Sequence, residues 1–439
     1  MNLGDKSFSL FKREIFLYGL QLITSVVIAR KLGPELLGIS IIIGQIPTYA
    51  EIFGRLKLDL AAVYFLGKKK YTLPDVVYIL NILAILTSSL LVLGYYANFD
   101  FFYSLLFAKS KENVEELIYI VLLQIPLNFI YMNYSYLLLH KEDVKNYNRM
   151  LILKSLTASV LGIVFVVGFN LGLRGIVLAS TFALLISVIF GVLRIGLVKF
   201  TLKRVNFLLI KDLITYGYKL YFQGLIENCK AYTSNTIVIL YLIPSQVTYF
   251  SLARGYGMLL DKIPNALGTI LFPRLTKMTL EIEIIDLTNK SFRLLSFILA
   301  VSGIIAIILI FPVVQVLYGK EYLPLVGPFQ ILIPGIVMSG AVTPIIQHFL
   351  AVNRVDISII ISVIGLLSSI IFGFLFIPEY GVPGAAISLT FSLMISSITT
   401  IIFYLRINKA ILMNSLLIKK SDISFLVNFI TNKLKNVRK

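Results

Sequence analysis

Twelve apolar stretches follow one another along this chain, centred near residues 21, 45, 86, 128, 160, 186, 228, 258, 304, 338, 367 and 393. Each is close to the roughly 20 residues that an α-helix needs to cross a bilayer. Of the 439 residues, 58% are hydrophobic and 14% are charged, against about 25% charged in a soluble domain. Lipid must therefore cover much of the surface. Inside lipid every backbone N–H and C=O needs a partner within the protein, which makes the spans helices. The expected fold is an all-α integral membrane protein of about twelve transmembrane helices. The first apolar run, from Ile15 through Ala29, carries no small-residue cleavage site, so it is expected to stay as a helix rather than leave as a signal peptide. One cysteine, Cys229, excludes a disulfide within the chain, and two histidines beside it offer no zinc set. No cofactor or metal is expected.

The net charge is +18. Nucleic-acid binding is one reading of such a value, and the placement of the charges argues against it. With the N-terminus inside, 29 lysines and arginines fall on inner segments. Six fall on outer turns: Arg30, Lys31, Lys109, Lys111, Arg174 and Lys320. Five more, Lys154, Lys219, Lys230, Arg254 and Lys262, lie within apolar stretches. This is the positive-inside pattern, with both termini cytoplasmic, and the basic loops suit the anionic inner leaflet. The chain has no tryptophan; Tyr95, Tyr96, Phe99, Phe101, Phe102 and Tyr103 can form an aromatic belt at the outer end of the third helix.

The chain also repeats itself. NLGLRGIVLASTFALLISVI (170–189) aligns without a gap on EYGVPGAAISLTFSLMISSI (379–398), with eight of twenty pairs identical, among them Gly172/Gly381, Gly175/Gly384, Thr181/Thr390 and Phe182/Phe391. Tight helical hairpins of any origin share glycines; the matched Thr-Phe inside the helix has no such explanation. VVIARKLGPELLG (26–38) echoes TIVILYLIPSQVT (236–248) and pairs Pro34 with Pro244. The expected organisation is two six-helix halves, 1–205 and 206–412, followed by a basic cytoplasmic tail, 413–439. An even number of helices per half inserts both in the same orientation, so the pseudo-twofold axis runs along the membrane normal and a central site between the halves is expected. Apolar residues at helical spacing with interleaved lysines suggest that the tail lies on the inner membrane surface.

Four stretches carry a family resemblance. Ala29-Arg30-Lys31-Leu32-Gly33-Pro34-Glu35-Leu36-Leu37-Gly38 resembles the A-R-x-L-G-P-E-x-x-G signature of polysaccharide flippases of the O-antigen (Wzx) type, within the multidrug/oligosaccharidyl-lipid/polysaccharide (MOP) exporter superfamily. Phe272-Pro273-Arg274-Leu275, Leu317-Tyr318-Gly319-Lys320-Glu321-Tyr322 and Pro378-Glu379-Tyr380-Gly381-Val382-Pro383-Gly384-Ala385-Ala386 resemble later landmarks of the same family, in the same order. The resemblance implies two bundles around a cavity and alternating access. It also implies movement of a polyprenyl-diphosphate-linked oligosaccharide across the cytoplasmic membrane for surface polysaccharide synthesis, alongside polysaccharide assembly proteins.

Ionisable groups inside a membrane are expensive and usually face a cavity or a partner. Lys219, Gln223, Glu227, Lys230 and Ser234 share one face of the seventh helix, and Arg254, Met258, Asp261 and Asn265 share one face of the eighth. Glu51, Arg55 and Asp59 stand four apart in the second helix, with Asp261 210 residues after Glu51, while Lys154 sits near the inner end of the fifth. The expected substrate contacts are Arg254, Lys230, Lys219 and Lys154, as cations for a diphosphate. Glu227, Asp261 and Glu51 are the expected carriers of a coupling proton or sodium ion. The alternative is mutual neutralisation within Glu227–Lys230, Glu51–Arg55–Asp59 and Asp261–Lys262. A drug/cation antiporter of the same superfamily would want unpaired carboxylates in its cavity instead. A lipid II flippase usually has two further helices. A membrane-embedded polymerase needs acid/base groups on a sizeable loop, and the loops here are short. A transporter, and not an enzyme, is the expectation.

Overall fold

The computed structural model describes residues 3–196 and 206–408, without the side chains of residues 3–15, Lys219 and Gln223. The tail 413–439 and the basic residues Lys199, Lys203 and Arg204 lie outside the described residues. The described chain is helical throughout: α1 (Leu3–Gly54), α2 (Leu58–Gly67), α3 (Leu73–Ala97), α4 (Phe99–Phe107), α5 (Glu115–Leu122), α6 (Gln124–His140), α7 (Val144–Ile163), α8 (Gly172–Ile195), α9 (Phe207–Tyr241), α10 (Pro244–Gly257), α11 (Lys262–Leu275), α12 (Glu281–Leu317), α13 (Val326–Ala341), α14 (Thr343–Ala351) and α15 (Val355–Ile407). A π-helical turn, Val164–Gly168, closes α7, and a 3₁₀ turn, Lys320–Leu325, precedes α13.

The two longest helices are not single rods. At 1.5 Å per residue each would far exceed the bilayer core of about 30 Å. Gly33 (φ 76°, ψ 172°) breaks α1 and Gly381 (φ 62°, ψ −131°) breaks α15 into two arms. Only glycine enters such conformations without a Cβ penalty, and the prolines that follow fit the first turn of the next arm. Among the described residues, seven helices are long and apolar enough to cross a membrane, each broken or kinked helix taken as one. Twelve spans stand as the expectation of the charge pattern. Along α3, Leu86, Leu90 and Leu93 are exposed, as are Ile304, Ile305 and Ile308 on α12. Such apolar stripes suit lipid contact.

The chain divides into two compact units. The first holds residues up to Asn228 together with Ile243–Thr248; the second holds Cys229–Leu242 and everything from Tyr249 onward. Within the first, α6 packs against α3 and α8, α7 lies along α8, and α1 runs against α7. Leu58, Ala61, Val77, Leu80, Leu137, Met150 and Leu184 form its core, joined by Leu209 and Leu213 from the start of α9. Within the second, α13 packs against α12 and α15, and α14 against α11, α12 and α15. Between membrane helices, where lipid is as apolar as the side chains, small residues permit the close packing that holds helices together. Gly335 meets the Thr390 backbone, with Cβ room of only 2.8 Å, and Thr390 Oγ1 donates to Ile331 O at 2.8 Å.

The repeated glycines share both conformation and surroundings. Gly172 and Gly381 both have positive φ. Gly175 lies against the Phe165 backbone and Gly384 against the Phe376 backbone, each on the arm just before its turn. The same local device therefore stands at positions 209 residues apart.

At the inner end of the first unit, in the orientation that the charges suggest, the start of α9 is tied down. Lys70 Nζ contacts Asp212 Oδ2 at 2.6 Å and the Tyr71 hydroxyl donates to the same oxygen. Tyr64 and Tyr216 stack with centroids 4.3 Å apart. The bond from Lys70 above all, and that from Tyr71, hold the Asp212 carboxyl below its ordinary range, and Asp212 raises the Lys70 ammonium.

Candidate functional site

The ionisable residues gather in two places, one in each unit. In the first unit they surround a break in the chain. Between α1 and α2, Leu56 and Lys57 take left-handed conformations (φ 51° and 53°), which cost non-glycine residues about 1–2 kcal/mol each. Arg55 spans this break. Its Nη1 lies 2.6 Å from Glu51 Oε1 on α1 and its Nη2 lies 3.2 Å from Asp59 Oδ2 on α2. The Arg55 guanidinium sits over the Tyr136 ring of α6. Asp59 is 1% exposed, and its Oδ1 has no hydrogen-bond partner. A lone buried carboxylate would cost several kcal/mol, so the pairing with Arg55 is what makes it tolerable. On α7, Lys154 Nζ lies 4.3 Å from the centre of the Tyr131 ring, a cation–π contact, within electrostatic reach of Glu51. Glu51, expected to carry a coupling ion, is thus engaged by Arg55.

In the second unit the cations sit on the seam between α9, α10 and α15. Arg254 reaches from α10 to α9, where Nη1 donates to Asn235 Oδ1 and Nη2 to Ala231 O, both at 2.7 Å. Those two acceptors fix the guanidinium plane. Its Nε edge makes no hydrogen bond among the described residues. Lys230, next to Ala231, extends across Gly365 of α15. A Cβ built on Gly365 would stand 2.7 Å from Lys230 Cε and 2.9 Å from its Nζ, and would collide with Ser396 Oγ. Ser392 Oγ donates to Gly365 O at 2.8 Å, and Ser234 and Ser369 pair one turn away. Lys230 therefore lies in a slot lined by hydroxyls from the second arm of α15. Asp261 sits where the chain breaks between α10 and α11 and is half-buried. Glu227 is exposed on α9. The Lys219 side chain is outside those described.

The structure thus anchors the Arg254 guanidinium on Ala231 and Asn235 of α9, with Lys230 the residue before Ala231. It also places Glu51 beside Arg55, and Lys154 within electrostatic reach. The helix-face reading missed Asn235, Tyr136 and Gly365. One signal for the slot was present: Ser388, Ser392, Ser396 and Thr400 recur every four residues, one hydroxyl face of a helix. Both units pair a helix interruption with a carboxylate, Asp59 after the first break and Asp261 at the second. Broken helices with charges at the break are the arrangement by which transporters expose backbone and side-chain groups to a substrate or ion.

Comparison with known proteins fits this arrangement. The structure is similar to a lipid II flippase, MurJ, in an inward closed conformation, with a TM-score of 0.72 and 16% identity over 92% of this chain and 87% of that one. It is equally similar to an inward-facing multidrug resistance MATE family transporter of the MOP superfamily, with a TM-score of 0.72 and 15% identity over 90% and 94% of the two chains. These likenesses show the MOP fold. In sequence the chain is 30% identical to the capsular polysaccharide biosynthesis protein CapF of Staphylococcus aureus over 152 residues, which are 33% of this chain and 37% of CapF. A family model described as polysaccharide biosynthesis protein matches residues 3–279. With that match over more than half its length and the fold it adopts, the chain belongs to the polysaccharide biosynthesis protein family of multi-spanning membrane proteins.

Proposed function

We propose that the protein is a flippase that moves a polyprenyl-diphosphate-linked oligosaccharide from the inner to the outer leaflet of the cytoplasmic membrane by alternating access. The observation that carries this reading is the Arg254–Lys230 pair. Arg254 of α10 is held flat by Ala231 and Asn235 of α9 with its Nε edge open, and Lys230 is the residue of α9 just before Ala231. Fixed, partly dehydrated cations suit a diphosphate, and a planar guanidinium can bond two of its oxygens. Lys219 and Lys154 add positive charge for the same substrate. Glu227, exposed three residues before Lys230, is the proposed carrier of a coupling proton or sodium ion, with Asp261, at the break between α10 and α11, as a second candidate. Family membership and the resemblance to a lipid II flippase support a lipid-linked sugar. The MATE likeness favours a second reading, an antiporter of organic cations, which the cationic seam speaks against.

The test is transport in vesicles. Purified protein is reconstituted with a fluorescent polyprenyl-diphosphate oligosaccharide, and appearance of the sugar on the opposite leaflet is followed with an impermeant quencher. Arg254→Ala should slow transport by about tenfold or more, the loss expected for a charge-assisted contact. Arg254→Lys should restore part of it. Transport of organic cations in place of the lipid, or wild-type rates in Arg254→Ala, would overturn the reading.

A further inference from the structure

Pro244 stands 210 residues after Pro34, and Thr248 210 residues after Gly38. In the first compact unit these two pairs meet crosswise. Thr248 Oγ1 donates to Pro34 O at 2.7 Å, a much better bond than the 3.4 Å one to Pro244 O of its own helix. In return the Pro244 carbonyl occupies the place where Gly38 would carry a Cβ. Each proline carbonyl thus meets the residue four places beyond the other proline. Reciprocal contact of this kind, i with j and j with i, is what a twofold axis produces. Both partners are buried, Thr248 completely, and both follow a turn: the glycine break at Gly33 in one case and the α9–α10 turn in the other.

The strength of the contact is as informative as its symmetry. Its polar part is one neutral hydrogen bond, worth about 1 kcal/mol net, and a backbone approach of the Cα–H···O type, worth about 0.5–1 kcal/mol. Among the described residues no ion pair reinforces it, and Gly38 brings no side chain to bury. A joint this specific in shape, with no polar bond stronger than a neutral one, is suited to opening and closing. We propose that the crossed contact between Pro34–Gly38 and Pro244–Thr248 is a conformational latch, closed in this structure and open at another stage of the cycle. In the proposed orientation it lies on the outer side. The latch rests on the alternating-access reading, and it is testable without any substrate.

The chain has one cysteine, so a Cys229→Ser background accepts a spin-label pair at Glu35→Cys and Ser245→Cys, next to the two prolines. Electron paramagnetic resonance of this protein in liposomes should show two distance populations. Thr248→Ala should shift their ratio towards the longer distance by about fivefold, the equivalent of one lost hydrogen bond. Thr248→Ser should restore the ratio, and Gly38→Val should abolish the short population. A single narrow distance in the parent protein and in Thr248→Ala would show a static joint and overturn the latch, even if Gly38→Val fails to fold. Failure of the vesicle assay to detect lipid-linked sugar transport would sink the proposed substrate and leave this measurement standing.

Discussion

At the scale of single residues, glycines decide which charges have room. Gly365 is the clearest case because the Lys230 chain crosses directly over its Cα. Adding one methyl group there forces either Lys230 or the second arm of α15 to move, and overpacking of this kind costs about 1–3 kcal/mol. Gly365→Ala should therefore lower the thermal unfolding midpoint of the detergent-solubilised protein. In a background of Lys230→Ala and Ser396→Ala, where all three atoms that crowd the site are gone, the same substitution should cost clearly less, and Ser396→Ala alone should relieve only part of the loss. Equal losses in the Ser396→Ala and the doubly substituted backgrounds would show that Lys230 does not occupy the slot. The lysine itself was legible in the sequence as a charge on an apolar helix. The pairing of that lysine with the hydroxyl face of α15 was not, because Gly365 and Ser396 lie far along the chain and helical periodicity relates only residues of one helix. The same limit applies to Arg254, whose partners Ala231 and Asn235 belong to the preceding helix.

At the scale of elements, the glycine-proline turns were readable and the break between α1 and α2 was not. Gly33-Pro34 and Gly381-Val382-Pro383-Gly384 carry residues whose backbone preferences dictate a reversal. Leu56 and Lys57 carry none, yet both are left-handed. The break is held from outside. Arg55 pairs with carboxylates on either side of it, Gly217 of α9 lies under the Leu56 carbonyl, and Gly224 lies under the Lys57 side chain. A Cβ at Gly217 would come within 2.7 Å of that carbonyl, whereas nothing stands within 4 Å of one at Gly44. Gly217→Ala should thus destabilise the protein. Gly44→Ala, at an exposed position of α1, should be neutral or should stabilise it by up to about 1 kcal/mol. Parallel thermal melts of the two variants check the contrast; a harmless Gly217→Ala would mean that α9 does not seat the break.

At the scale of the whole molecule, the charge pattern proposes an orientation, and a repeat of two six-helix halves would give both halves the same one. Lysines and arginines are costly to carry across a membrane, so segments rich in them stay on the side of synthesis. The α2–α3 connection holds Lys68, Lys69 and Lys70, all exposed, and the far end of α3 holds the aromatic pairs Tyr95–Phe102 and Phe99–Tyr119. Opposite ends of one membrane-length helix thus carry the two signatures expected of opposite membrane faces. In a Cys229→Ser background, an impermeant thiol reagent added to intact cells should label Asn98→Cys and leave Lys69→Cys untouched until the cells are opened. Lys70 deserves to be kept in both proteins, because its bond to Asp212 ties the start of α9 to this connection. Labelling of Lys69→Cys from outside would invert the orientation and place the Pro34–Thr248 contact on the inner side. Labelling at both positions would mean that α3 does not span, and the twelve-helix expectation would fall with it.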